Sequence, residues 1–223
     1  MKAAYRTRLG QACIFGAVLT LGLGYSFLSH LAAASADPGL LGVLIAVIPL
    51  CGLAFAMAWR SARRALMLAM WVAGCAILYR FGDWLVTHYN WVFLLQHAGM
   101  YALLCWAFGR TLLPGRTPMI SGLARIVHGS LSPALIDYTR STTLAWTLYF
   151  GGTAGLSLAL FWLAPVSIWS AFANLLAGPL LALMFVGEYA VRCHVLPVAD
   201  RAGPLEAIRA YRQASSADTA RPP

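Results

Sequence analysis

The chain has 223 residues, 61% of them apolar and only 10% charged. A soluble domain carries about 25% charged residues, so this composition excludes a water-soluble globular protein. The formal net charge of +9 would also fit a nucleic-acid binder, but the positions of the cations exclude that class.

Six apolar stretches are long enough to cross a hydrocarbon core, which takes about 20 helical residues. In chain order they cover Leu9–Ala33, Leu40–Trp59, Ala65–Leu85, Trp91–Leu112, Thr142–Leu163 and Ile168–Tyr189. The runs are continuous rather than alternating, which favours helices over barrel strands. The expected fold is therefore all-α, a polytopic integral membrane helix bundle of about six transmembrane helices. Residues 1–195 would form the transmembrane domain, with a cytoplasmic loop at about 113–141. Residues 196–223 would form a cytoplasmic tail, partly disordered: "GPLEAIRAYRQA" has helical spacing, whereas "SSADTARPP" has a disordered composition.

Before the first stretch stand Lys2, Arg6 and Arg8, and between the second and third stand Arg60, Arg63 and Arg64. Arg110, Arg116, Arg125 and Arg140 flank or fill the segment between the fourth and fifth. Arg192, Arg201, Arg209, Arg212 and Arg221 follow the sixth. With six spans all of these share one side, and only Arg80 falls on the other. The positive-inside rule then puts both termini on the cytoplasmic side of the membrane. The positive charge is topological, with some attraction to anionic lipid headgroups. The expected partners are membrane lipids and biosynthetic or export proteins, not nucleic acid.

The N-terminus allows one alternative. "MKAAYRTRLG" is a basic leader and "AAASADP" offers a cleavage site after Ala36, which would leave five spans. The apolar stretch exceeds the usual signal-peptide core of about 7–15 residues, and its retention gives the even count. Cys13, Cys51, Cys75, Cys105 and Cys193 lie in or beside helices without paired spacing and read as small apolar residues.

On the outer side, "YRFGDWLVTHYNWVF" is rich in aromatic and polar residues. Arg80 and Asp83, three apart, are placed to pair on one helix face. Tyr79, Trp84, Tyr89 and Trp91 fit an interfacial aromatic belt. An external ligand site with His88 as a polar contact is the competing reading. His97, beside Gln96, is expected to bond a neighbouring helix, as are Trp169 and Asn174. Gly151, Gly152, Gly155 and Ser157 suit close helix packing.

The loop opens with Pro114-Gly115, a turn signal. Its middle, "MISGLARIVHG", spaces Met119, Ile120, Leu123, Ile126 and Val127 for an amphipathic helix on the inner leaflet. Further on, "LLALMFVGEYAVRCHVLP" ends a long apolar run with Glu188 and, one turn later, Arg192. An i,i+4 pair is favourable by a few tenths of a kcal/mol. Such a carboxylate also requires a cross-helix partner or surface water. One reading is an interfacial anchor that pairs and snorkels, with the arginines enforcing topology; the other makes Arg110, Arg116, Tyr138, Arg140, Glu188 and Arg192 a candidate anion or headgroup site.

His30, His88, His97, His128 and His194 are scattered, and no HExxH, GxxxxGK[ST] or GxSxG occurs. No catalytic residue, metal or cofactor is assigned, and the reading leans away from an enzyme. The leading function is a non-enzymatic inner-membrane component assisting synthesis or export of a lipid-like or acyl product. A small transporter or substrate-binding subunit is the alternative, and a membrane enzyme acting at the inner surface is the second alternative.

Four stretches, "FGRTLLPGRTPMISGLAR", "YTRSTTLAW", "WSAFANLLAGPLLALMF" and "GEYAVR", resemble an uncharacterised family of small bacterial inner-membrane proteins. Some members lie beside genes for aryl-polyene or fatty-acid-like synthesis. The resemblance covers the C-terminal half and extends to the N-terminal half only in hydropathy. It implies Gly109, Arg110, Arg116, Pro118, Tyr138, Arg140, Trp146, Glu188 and Arg192 as motif positions and no catalytic assignment. The ketosynthase label that some members carry does not fit, because this chain has no Cys-His-His arrangement.

Overall fold

A computed structural model describes residues 2–35 and 39–197 of the chain. The helices are α1 (Lys2–Ala34), α2 (Gly39–Arg60), α3 (Arg64–Arg80), α4 (Gly82–Gly109), α5 (Met119–His128), α6 (Pro133–Leu163), α7 (Val166–Ser170) and α8 (Ala177–Val195). A 3-10 turn, Arg110–Leu112, extends α4, and a π-helical segment, Ala171–Leu176, joins α7 to α8. No strand occurs among the described residues. The expected cleavage site at Ala36 and nearly all of the tail lie outside them.

Among the described residues, four helical stretches are long and apolar enough to cross a membrane: Leu40–Arg60, Gly82–Leu112, Pro133–Leu163 and Val166–Val195. Their outward faces carry large apolar side chains such as Leu95, Leu148 and Trp162, each about two-thirds or more exposed. Water would not tolerate so much exposed apolar surface, whereas hydrocarbon accepts it. The fold is that of a helical membrane protein.

The third expected span is shorter than its apolar run. The expectation carried it through to Leu85, but α3 ends at Arg80, where Phe81 leaves helical geometry (φ −98°, ψ 18°). Its 17 residues rise about 26 Å at 1.5 Å each, short of a core of about 30 Å. Among the described residues of α1, an apolar stretch covers Leu19–Ala34.

By Cα packing the chain forms two compact units. The first comprises Met1–His97 and Ser157–Gly178. Within it Pro49 sits inside α2. Proline has no N–H for the carbonyl four residues back, here that of Ile45. In hydrocarbon that oxygen needs another donor, and the Tyr25 hydroxyl of α1 supplies one at 3.3 Å. Gln96 of α4 donates to the adjacent Ala46 carbonyl. The Trp71 indole N–H of α3 donates to the Cys51 carbonyl of α2 at 2.9 Å. The broken backbone ladder of α2 thus lies beside side-chain links to three neighbours. In α4, His88 departs from helical geometry (φ −121°, ψ 22°). Its Nδ1–H reaches the Trp84 carbonyl at 3.0 Å and its ring stacks on Trp84 at 4.5 Å. A side chain inserted into the ladder is a recognised cause of such kinks.

The second unit comprises Ala98–Leu156 and Pro179–Pro223. Its aromatic centre is the buried Trp146, packed against Tyr149, Phe150 and Phe185, with Phe108 on Phe150. Glycine lets α4 and α6 approach closely. A Cβ on Gly109 would stand 3.2 Å from the Thr147 methyl, and one on Gly151 would stand 3.1 Å from Cys105 Sγ. Gly152 and Gly155 have open space around them, so only Gly151 of the expected glycine series serves packing in this way.

The expected amphipathic helix is α5. Gly115 (φ 77°) in the turn before it and Gly129 (φ 72°) at its end take backbone conformations that favour glycine. Two of its first N–H groups are capped from a distance. Thr111 Oγ1 accepts from Met119 N at 3.0 Å, and Thr143 Oγ1 of α6 accepts from Ile120 N at 3.2 Å. Ser121 and Thr139 share a buried hydroxyl bond of 2.7 Å. Leu123 and Ile126 point outward with Arg125.

Candidate functional site

The ion pair at the end of α8 is the nucleus of the candidate site. Arg192 donates to Glu188 Oε1 from Nη2 at 2.8 Å and from Nε at 3.1 Å. The i,i+4 spacing places both side chains on one helix face. The Tyr138 hydroxyl of α6 donates to the same oxygen at 2.7 Å and also lies 3.2 Å from the Glu188 backbone carbonyl. The Glu188 side chain is 11% exposed and that of Arg192 22%. A carboxylate this enclosed needs several donors, and three converge on it here. Leu135, Tyr138 and Leu196 form a buried cluster with Leu131 packed against it, which excludes solvent from that side.

The cross-helix partner that the position of Glu188 demanded is therefore a tyrosine. The other proposed members lie elsewhere. Arg110 stacks over the Trp106 ring at 4.4 Å. Arg140 reaches the Leu112 carbonyl at 3.4 Å. Arg116 is exposed in the turn before α5. The structure thus unites Tyr138, Glu188 and Arg192 and leaves Arg110, Arg116 and Arg140 outside the cluster.

Beside this cluster a groove of about 970 Å³ opens between α6 and α8. Its α6 wall includes Ala134, Asp137, Tyr138, Ser141, Thr142 and Ala145, continuing to Tyr149. Its α8 wall includes Leu180, Leu183, Met184, Gly187, Glu188 and Val191, continuing to Val195. Both sets follow i, i+3, i+4, i+7, i+8 spacing, one stripe of each helix. The Tyr138–Glu188 and Trp146–Phe185 contacts run the helices antiparallel. Small residues, Ala134, Ser141, Ala145 and Gly187, leave the space. Fifteen helical steps, from 134 to 149 on one wall and from 180 to 195 on the other, make the groove about 22 Å long. Asp137, Tyr138, Ser141, Thr142 and Glu188 cluster toward one end, and the rest is almost wholly apolar.

Threonines hold the α6 wall. Thr139, Thr142, Thr143 and Thr147 each donate to the carbonyl four residues back, at 2.7–2.9 Å. The run "YTRSTTLAWT" thereby satisfies its hydroxyls locally. Sequence reasoning singled out neither these threonines nor Asp137. The readable signal was the concentration of hydroxyls at helical spacing.

A second polar cluster lies in the first unit. His97 Nδ1 stands 3.0 Å from Ser157 Oγ, which also accepts the Trp169 indole N–H at 3.0 Å. His30 Nδ1 stands 3.0 Å from Ser170 Oγ. His97 and Trp169 bond other helices as expected. Asn174 does not: its amide donates to the Ser170 carbonyl at 3.2 Å and to Ser170 Oγ at 3.1 Å, one turn back. It thereby occupies an oxygen that a helical N–H would take, within the π-helical turn. Among the described residues no three His, Cys, Asp or Glu side chains converge as a metal ion requires.

The expected external pair does not form. Arg80 closes α3 and Asp83 opens α4, and no ion pair joins them. The break at Phe81 removes the common helix face that the pairing needed. Tyr79, Trp84 and Trp91 are exposed, as a belt requires, but Tyr89 is 7% exposed and donates to the Ser35 carbonyl at 3.4 Å.

No family model, curated protein or solved structure matches this chain.

Proposed function

We propose that this chain is a non-enzymatic membrane component that holds a lipid-like or acyl molecule in the α6–α8 groove during its synthesis or export. The observation that carries this reading is the groove's polarity: one end has hydroxyls and carboxylates, and the remainder is apolar. An amphiphile has the same division. Its length fits as well, since one leaflet contributes about half of a 30 Å hydrocarbon core. A groove of about 22 Å is long enough for a chain of leaflet length together with its head. The groove opens on helices built for hydrocarbon, so lipid chains are its natural occupants.

Gly187 provides the test. A Cβ added there meets no atom within 4 Å, and Gly187 lines the groove, so Gly187→Phe is expected to fill the groove without crowding the backbone. Gently purified wild-type protein should carry a bound amphiphile in native mass spectrometry, and Gly187→Phe should lose it by about tenfold, ~1.4 kcal/mol, at unchanged folded yield. Equal occupancy in the two proteins would refute the reading.

The same proposal includes six spans, both ends cytoplasmic, in a bacterial inner membrane, with the family resemblance of the C-terminal half. The one-sided distribution of Lys and Arg supports it. A reporter fused after Pro223 should be active in its cytoplasmic form, and periplasmic activity would reverse the orientation.

A further inference from the structure

The groove lining shows which head the amphiphile carries. Glu188 is already engaged by Arg192 and the Tyr138 hydroxyl. Asp137 lines the same end, is exposed, and makes no hydrogen bond or ion pair with any described residue. No Lys or Arg is among the described lining residues. The nearest arginine in sequence, Arg140, bonds the Leu112 carbonyl. Among the described residues, the groove therefore presents one carboxylate without a cationic partner at its polar end. Ser141 stands one turn further along the same wall.

Resting on the groove reading, we infer that the bound amphiphile has a protonated amine as its head, attached directly to its apolar portion. A phosphate or carboxylate head would bring like charge against Asp137 and find no guanidinium among the described lining residues, the group that such anions select. An ammonium has three donors and no acceptor, and it matches a carboxylate with a neighbouring hydroxyl. The Arg192 charge does not offset this preference, because its Nε and Nη2 are directed at Glu188. The headgroup chemistry is thus opposite to the anion site that the arginine-rich sequence led us to expect.

The test uses the full chain in phosphatidylcholine nanodiscs. Three diazirine probes of one chain length are compared: an alkylamine, an alkyl alcohol and a fatty acid. Crosslinks are mapped to α6 and α8 by mass spectrometry. The amine should label the region of Ala145, Leu183 and Met184 about tenfold more than the acid, equivalent to ~1.4 kcal/mol, with the alcohol between them. Asp137→Asn should bring the three probes level while chain labelling persists, and Asp137→Glu should keep the preference for the amine. Equal labelling by amine and acid in the wild type, or a preference unchanged in Asp137→Asn, would overturn the inference and leave the groove reading standing. Absence of groove labelling by every probe would overturn both. Suppression of amine labelling by phosphatidylethanolamine in the nanodisc would show a phosphate-bearing head and overturn the direct attachment.

Discussion

Replacing Arg192 by alanine is expected to destabilise the protein by about 3 kcal/mol, the scale for removing one partner of an enclosed ion pair. The Glu188 carboxylate would keep only the Tyr138 hydroxyl as its cross-helix donor. Tyr138→Phe should cost less, about 1 kcal/mol, as one interhelical hydrogen bond within a membrane protein does. The double variant Glu188→Leu/Arg192→Leu should recover much of the loss, because an apolar pair leaves no orphaned charge. Folded fractions in a detergent titration measure all three. A stable Arg192→Ala, or a double variant no better than the single, would mean that the pair is a solvated surface feature.

The second large effect is expected at Trp169. Its side chain is fully enclosed, packs edge-on against Phe161 at 5.2 Å and donates to Ser157 Oγ at 3.0 Å. Trp169→Ala removes this contact surface and opens a cavity, for a loss of about 3 kcal/mol or more. The packing term dominates, since lipid supplies little solvophobic drive between helices. Trp169→Phe keeps most of the ring and should lose about 1 kcal/mol, the net value of a typical hydrogen bond. If the two variants melt together, the indole N–H rather than the ring volume holds this site.

These two residues illustrate which contacts a sequence exposes. Glu188 and Arg192 are four apart on one helix, so their pairing follows from helical periodicity. Tyr138 lies 50 residues from Glu188, and His30 lies 140 from Ser170. Nothing local encodes either contact, because each depends on which helices become neighbours. The long apolar runs of α2, α4, α6 and α8 were readable because hydrocarbon imposes a length. The α5 helix was readable because its apolar spacing is helical and glycines bracket it. The end of α3 was not: Phe81 continues an apolar pattern, and only Gly82 and the Arg80–Asp83 polarity hinted at a turn. The arginines misled because they mark topology as well as sites. Arg110 rests on an indole ring and Arg140 on a backbone carbonyl, which sequence position alone cannot distinguish from ligand contact.

The capping of α5 has a consequence for how the molecule breathes. Three bonds to side-chain hydroxyls, at Met119, Ile120 and Ser121, fasten its first turn, and glycines of positive φ stand on either side. Ten residues make a helix too short to persist alone. Its amides should exchange with solvent deuterium through a local opening of low free energy, independent of global unfolding. The amides of α6 and α8, sealed in hydrocarbon, would stay protected over the same interval. Faster exchange across Met119–His128 than across α6 and α8 would mark the segment between Gly115 and Gly129 as its own cooperative unit, and equal protection would tie it to the groove walls.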